Sequence, residues 1–370
     1  MKPGYILTEA GIIPKDWAVQ KLGRVAAITT GSKDVNEGNP AGEYPFFTCS
    51  RNRTFSDYYS FDTEAILIAG NGDVGNLHYY SGKFEAYQRT YVLYRFDSDV
   101  RYIWHQLTHR LVESLGLGKI GTSIPYIKKE DLTGFLFPIP PTEAEQRAIA
   151  EALSDVDELL ISLDRLIAKK RDLKQASMQQ LLSGKTRLPG FHGKWRRRRL
   201  GDVARIKTGS RNNQDKVPDG AYPFFVRSDV VEHIDSCSYD CEAILVPGEG
   251  RIGEIFHYIQ GRFDVHQRVY AITQFSDDTS GKFTYFYMVS NFGTHALKHT
   301  VKATVDSLRL PTFQTFEMFV PATVEEQTAI AEVLTEIDEE LVALEQRREK
   351  IRDLKQAIMQ ELLTGKTRLI

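Results

Sequence analysis

The sequence predicts an α+β protein: two similar globules joined by two long antiparallel coiled-coil helices with pseudo-two-fold symmetry. Three observations predict it. Segments recur at a nearly fixed spacing: Trp17 with Trp195, Leu22-Gly23 with Leu200-Gly201, and YPFF at 44–47 with YPFF at 222–225, all 178 apart. The spacing grows to 181 by the time RDLKQA at 171–176 returns at 352–357. Each copy opens with short, β-rich apolar runs and closes with a long heptad stripe.

The first globule occupies 1–141. VAAITTG, YPFFTC, AILIAG and TYVLYRF read as strands broken by turns. GNGDVG at 70–75 and GEGRIG at 248–253 match a dinucleotide-loop pattern, but LHYY and IFHY follow them and read as strand, not helix. A tight turn between strands is the expected reading. Phe46 and Phe47 are expected in the core with Tyr44. The shared Gln88-Arg89 and Gln267-Arg268 are read as structural, each arginine buried on backbone acceptors, with a common phosphate contact as the alternative.

The first long helix occupies 142–183. Thr142 with Glu145, and Thr323 with Glu326 in the copy, form a capping-box pattern. Gly184 and Gly365 supply the stop. Each helix then runs about 41 residues, roughly 60 Å. The expected seam contains Leu153, Val156, Leu160 and Leu163 on one helix, and Ile337, Leu341, Leu344 and Ile351 on the other. Arg348 and Lys355 fill intervening seam positions. A linker at 184–194 leads to the second globule at 195–322, the second helix at 323–364 and a tail at 365–370. Arg196 to Arg199 read equally as a phosphate contact or as a blunted edge strand.

Composition narrows the function. The 370 residues carry 42% hydrophobic and 26% charged side chains, ordinary for a globular chain. No apolar run suits a membrane, and no signal-peptide pattern opens the sequence, so a cytoplasmic protein is expected. Three cysteines argue against a disulfide framework; Cys237 and Cys241 lie near His233 and His257 but fit no strong zinc pattern and have no matching pair in the first copy, so they are expected to be structural or incidental thiols. A net charge of −2 requires any nucleic-acid surface to be segregated or shared with other subunits. Two similar halves suit a target with two halves, of which DNA is the commonest.

GIIPKDWAVQKLG at 11–23, PIPPTEAEQRAIAEAL at 138–153, VPATVEEQTAIAEVL at 320–334 and LLSGKTRLPGFHGKW at 181–195 resemble, in this order, the specificity subunits of Type I restriction–modification systems. Ala322 departs from the pattern, standing where the first copy has Pro141. The resemblance implies a non-catalytic reader of a split site in double-stranded DNA. It also implies two modification (methyltransferase) subunits that carry S-adenosylmethionine, with no cofactor in this chain, and restriction (nuclease/translocase) subunits. A methyltransferase fused to its own recognition domains would need an adenine-accepting D/N-P-P-Y/F/W tetrad, which the sequence lacks. A protein-binding coiled-coil scaffold is the other alternative, told apart by its lack of any DNA preference.

Loops that differ between the copies on a common frame are expected to read the DNA. The first is GSKDVN against GSRNNQ, giving Lys33, Arg211, Asn212, Asn213 and Gln214. The segment after YPFF gives Arg51, Asn52, Arg53 and Arg227. The glycine turn gives Asn71 and Arg251, and a later loop gives Lys119, Thr122, Lys302 and Thr304. Unequal loops imply unequal half-sites.

Overall fold

The computed structural model of the protein describes residues 3–115, 126–299 and 307–369. The chain divides into two units, one of Met1–Asp164 with Arg347–Ile370, the other of Arg165–Gln346. Lys119, Thr122, Lys302 and Thr304 lie outside the described residues.

Unit 1 begins with a ribbon of β1 (Tyr5–Thr8) and β2 (Gly11–Pro14). Then come β3 (Ala18–Lys21), the one-turn α1 (Leu22–Val25), β4 (Ala27–Thr30), β5 (Tyr44–Phe47), β6 (Thr54–Ser56), β7 (Phe61–Ala69), β8 (Leu77–Ala86) and β9 (Thr90–Tyr94). Helix α2 (Val100–Ser114), the short α3 (Lys129–Thr133) and β10 (Leu136–Ile139) lead into α4 (Glu143–Leu181). Six strands make one sheet in the order β4-β9-β7-β8-β5-β6, with β5 and β8 parallel and the other pairs antiparallel.

The run Ala65–Ala69 is buried throughout because both faces of β7 are covered. Ile66 and Ile68 join the core formed with α2 and the long helices, while Ala65 and Leu67 pack against Phe47 and Phe84 on the other face. Phe46 and Phe47 are buried as expected, and Tyr44 is half-buried against Tyr59. The GNGDVG segment is the turn from β7 to β8, again as read from sequence.

Unit 2 repeats this order from β3 onward. It contains β11 (Arg196–Arg199), α5 (Leu200–Val203), β12 (Arg205–Thr208), β13 (Tyr222–Phe225), β14 (Glu232–Ile234), β15 (Tyr239–Pro247), β16 (His257–Val265) and β17 (Val269–Thr273). Then follow α6 (Gly281–His299), α7 (Leu310–Gln314), β18 (Glu317–Val320) and α8 (Val324–Leu362). Its sheet order, β12-β17-β15-β16-β13-β14, is that of unit 1 strand for strand. The four arginines 196–199 form a strand paired with β18, and their side chains meet Asp278 and Glu317. Arg198 foremost holds the Asp278 carboxyl down at about 2. The edge-strand reading therefore describes this run.

Each unit contains an antiparallel stretch of the two long helices. In unit 1, Asp157 of α4 pairs with Lys355 of α8 at 2.6 Å and Asp164 with Arg348 at 3.2 Å. In unit 2, Lys174 pairs with Asp338 at 2.5 Å, and Lys170 pairs with Glu340. The expected seam residues lie inside these stretches: Leu153, Leu163 and Leu341 are buried, while Val156, Leu160, Ile337, Leu344 and Ile351 are half-buried. The seam cations Arg348 and Lys355 reach carboxylates on the facing helix, which keeps their charge paired near the apolar stripe.

The PPxxEQxxI resemblance acquires a physical meaning here, with one correction. Thr142 Oγ1 does accept from the Glu145 amide at 3.3 Å, but the Glu145 carboxylate does not return to the cap. It is held by both arms of Arg368, whose guanidinium also lies over Trp17. Glu326 is held in the same way by Arg187, which lies over Trp195. A bidentate, charge-assisted pair outcompetes a single bond to a neutral amide. The glutamine of the motif is a staple: Gln146 accepts from Asp99 N and donates to Pro140 O, and Gln327 accepts from Ser280 N and donates to Pro321 O. The isoleucines Ile149 and Ile330 are fully buried in their cores. Gly184 and Gly365 end the helices with φ near +70°, which fits glycine.

Candidate nucleic-acid interface

In unit 1 a turn at residues 87–89, between β8 and β9, is the meeting point of four loops. Gly31 N donates to Thr90 O at 3.2 Å, and Gln88 N to Lys33 O at 2.9 Å. Tyr87 N donates to Phe47 O, Gly70 N to Arg89 O, and Ile127 N to Gly70 O. Gly31 passes so close to the Ala86 carbonyl that a Cβ would collide with it, which explains the glycine opening the GSKDVN loop. Unit 2 repeats the junction: Gln267 N to Arg211 O at 2.8 Å, His266 N to Phe225 O at 3.0 Å, Gly248 N to Arg268 O at 2.8 Å, and Leu308 N to Gly248 O at 2.7 Å.

Side chains reinforce it. His78 Nε2 lies 3.3 Å from Ser50 O, and His257 Nε2 lies 2.9 Å from Ser228 O, so the same histidine ties the same loop in both units. Beneath the first loop sits a buried carboxylate. Asp264 accepts from Arg211, Ser236, Ser238 and its neighbour's amide; Glu85 accepts from Ser60 and the Ala86 amide. Polar groups this deep need such saturation.

The sequence-nominated residues that are described fall on this rim. Lys33 is half-buried and pairs with Glu37 at 2.9 Å, which raises the lysine's pKa. Arg211 is half-buried on Asp264 at 3.1 Å, and the Asn212 side chain accepts from Gln267. Asn71 is half-buried beside Tyr126, while Asn52, Arg53, Asn213 and Gln214 are exposed on the same loops. Arg227 meets Glu249 at 3.2 Å.

Two residues nominated separately prove to be one feature seen twice. Arg51 meets Asp73 at 2.6 Å across the gap between the post-YPFF loop and the glycine turn. In unit 2 the same gap is bridged by Asp229 and Arg251 at 3.1 Å, with the signs exchanged. Arg51 holds the Asp73 carboxyl below its usual range; the Asp229 carboxyl is lowered by its own amide first, then by Arg251. The acidic partners Asp73, Asp229 and Glu249 were not nominated from sequence. Comparing the copies for reciprocal charge would have found Asp73 and Asp229.

The reading of Arg89 and Arg268 as buried is corrected: both side chains are exposed. Their backbones carry the structural role, since it is each arginine's carbonyl that accepts from Gly70 or Gly248. The preceding glutamines are tethers, Gln88 to Asp34 at 3.2 Å and Gln267 to Asn212. Of the thiols, Cys49 donates to Arg89 O at 3.4 Å and Cys237 to Tyr239 O at 3.1 Å, while Cys241 lies half-buried in β15. Among the described residues no helix is long and apolar enough to cross a membrane.

These features define a duplicated α+β protein whose two units share a frame and differ along one rim. The model of the Type I restriction modification DNA specificity domain matches the chain twice, over residues 14–172 and 192–353, and the chain belongs to that family. It is 36% identical over 166 residues to the Type I restriction enzyme EcoDI specificity subunit of Escherichia coli; that match spans 45% of this chain and 36% of the relative's length. It is 24% identical over 407 residues to the MjaVIII specificity subunit of Methanocaldococcus jannaschii, spanning 96% of this chain and 94% of that one. The crystal structure of a Type I restriction–modification S subunit from M. genitalium has the same fold, with TM-score 0.74 at 17% identity over 98% of this chain and 99% of the other. A second fold match, from a structure of type I R-M complex assembly and conformational transition, has TM-score 0.54 at 18% identity over 96% of this chain and 99% of that one.

Proposed function

We propose that this chain is the DNA-specificity subunit of a Type I restriction–modification complex, without chemistry of its own. Each reading domain, residues 1–141 and 195–322, takes one half of a bipartite, asymmetric site in double-stranded DNA. The helices, residues 142–183 and 323–364, set the spacing and dock two methyltransferase subunits. Those subunits bring S-adenosylmethionine, and restriction subunits complete the nuclease in the cytoplasm. The observation that carries this reading is the pair of rims: one frame, held by the same backbone bonds in both units, displaying different side chains. A common frame with different tips is what two readers of unequal half-sites require.

The test is co-expression with the cognate methyltransferase, followed by mapping of methyladenine by single-molecule sequencing. A split, non-palindromic motif that appears only with both proteins is expected. A motif unchanged when this chain is omitted would sink the proposal. Leu341→Lys together with Leu344→Lys should break the seam and abolish co-purification of the methyltransferase; normal assembly of that double variant would contradict the docking role of the helices.

A further inference from the structure

We propose that Arg89 and Arg268 are a matched pair of phosphate anchors, one per unit, which hold each rim on the DNA backbone whatever bases lie beneath it. The inference rests on the DNA-reading function proposed above, and it takes the structure's exposed guanidinium groups as grounds for the alternative that the sequence left open beside a buried, structural role.

Three observations carry it. The first is that neither guanidinium has a shared structural duty. Both side chains are exposed; Arg268 meets Glu249 at 3.1 Å, whereas unit 1 has Asn71 where Glu249 stands and no ion pair is found for Arg89 among the described residues. A residue serving only the fold would make the same contact twice, as His78 and His257 do. The second is rigidity at the root. Each arginine's carbonyl is fixed to the glycine turn, and its preceding glutamine is tied to the first loop, so the side chain departs from a set point on the rim. Preorganised departure lowers the cost of ordering a long side chain at an interface. The third is company. Lys33 and Arg51 stand on loops joined to the turn in unit 1, and Arg211 and Arg227 on the corresponding loops in unit 2. Their identities differ between the units, while Arg89 and Arg268 are the same residue at the same place on the turn. A contact needed in both halves but indifferent to base identity is a contact to phosphate, the one group every duplex presents alike.

The experiment uses the complex of this chain with its methyltransferase subunits and measures affinity against salt concentration, on a duplex carrying the mapped site and on an unrelated duplex. Arg89→Ala and Arg268→Ala should each weaken binding roughly tenfold on both duplexes. Each should also lower the salt slope by about one. The methylated motif should not change. Arg89→Lys should recover most of the loss, because phosphate accepts a point charge whereas bidentate base reading does not. Unaltered thermal unfolding of the variants would show that the effect is not misfolding. A changed base preference at one position would overturn the proposal in favour of base reading. Unchanged affinity would overturn it in favour of bystander side chains, and loss of methyltransferase binding in favour of a protein contact. If the wild-type complex shows no split motif, the specificity reading fails, and the slopes on unrelated duplex still decide whether these arginines touch phosphate.

Discussion

Arg51 and Asp73 in unit 1 and Asp229 and Arg251 in unit 2 span the same gap with opposite polarity. The Coulomb attraction of two charges is unchanged when they trade places, so the frame is equally content with either arrangement. What changes is the field at the rim: the positive end sits on the post-YPFF loop in one unit and on the glycine turn in the other. The two units thus separate features on which folding depends from features to which it is indifferent. Clamps such as Arg187–Glu326 and Arg368–Glu145 recur in the same sense and with the same geometry, because they are partly buried and close each unit. The inverted pair is exposed at both ends, so folding leaves its direction free.

The largest expected effect breaks the common frame. Arg187→Ala leaves the Glu326 carboxylate, with its side chain only 2% exposed, without its partner, and should cost about 3 kcal/mol in unit 2 by urea denaturation. Arg368→Ala should cost a similar amount in unit 1, where Glu145 is stranded. A loss in one unit but not the other would show that the two closures are not equivalent.

The next effect is confined to unit 1. His105 is buried on α2, where the corresponding position of α6 holds the buried Phe286. Burial above all pushes the His105 pKa down to about 4. As pH falls below the ordinary value of about 6.5, the unfolded chain therefore takes up a proton that the folded unit refuses, and stability drains away until about pH 4. His105 should contribute a loss on the order of 2–3 kcal/mol across that window. His105→Phe should flatten this part of the pH profile of unfolding, while the contribution from His266 in unit 2, also shifted down by burial, persists. A pH profile identical to wild type would exclude His105 as a source of acid sensitivity.

The smallest effect on stability should be the largest on specificity. Exchanging the pair in unit 1, Arg51→Asp with Asp73→Arg, rebuilds the ion pair in the sense used by unit 2 and should leave thermal unfolding unchanged. The methylation motif should change in one half-site only. An unchanged motif would mean that the inverted pair sets no base preference. A change in both half-sites would mean that the units do not read independently.

Much of this was legible in the chain. The short apolar runs, the repeat and the heptads located the strands and the helices, because apolar patterning reports burial directly. The loops at the rim were legible as places of difference between copies. Arg89 was legible only as two alternatives, since a shared arginine beside a shared glutamine looks first like fold chemistry, and only the structure separates its bonded carbonyl from its exposed guanidinium. The capping-box reading of Glu145 and Glu326 missed partners 223 and 139 residues away, for which no local spacing gives a signal.

By itself, then, the sequence determined the duplication, the fold class, the antiparallel helices and the family. Each of these follows from periodicity, from the repeat of segments along the chain, or from short local motifs. The tertiary structure decided which way each charge on the rim points, which carboxylates are saturated from below, and which arginines close the units and which remain exposed. Those outcomes depend on loops far apart in sequence arriving at one turn, and ion pairs form with whatever the fold brings within a few ångströms.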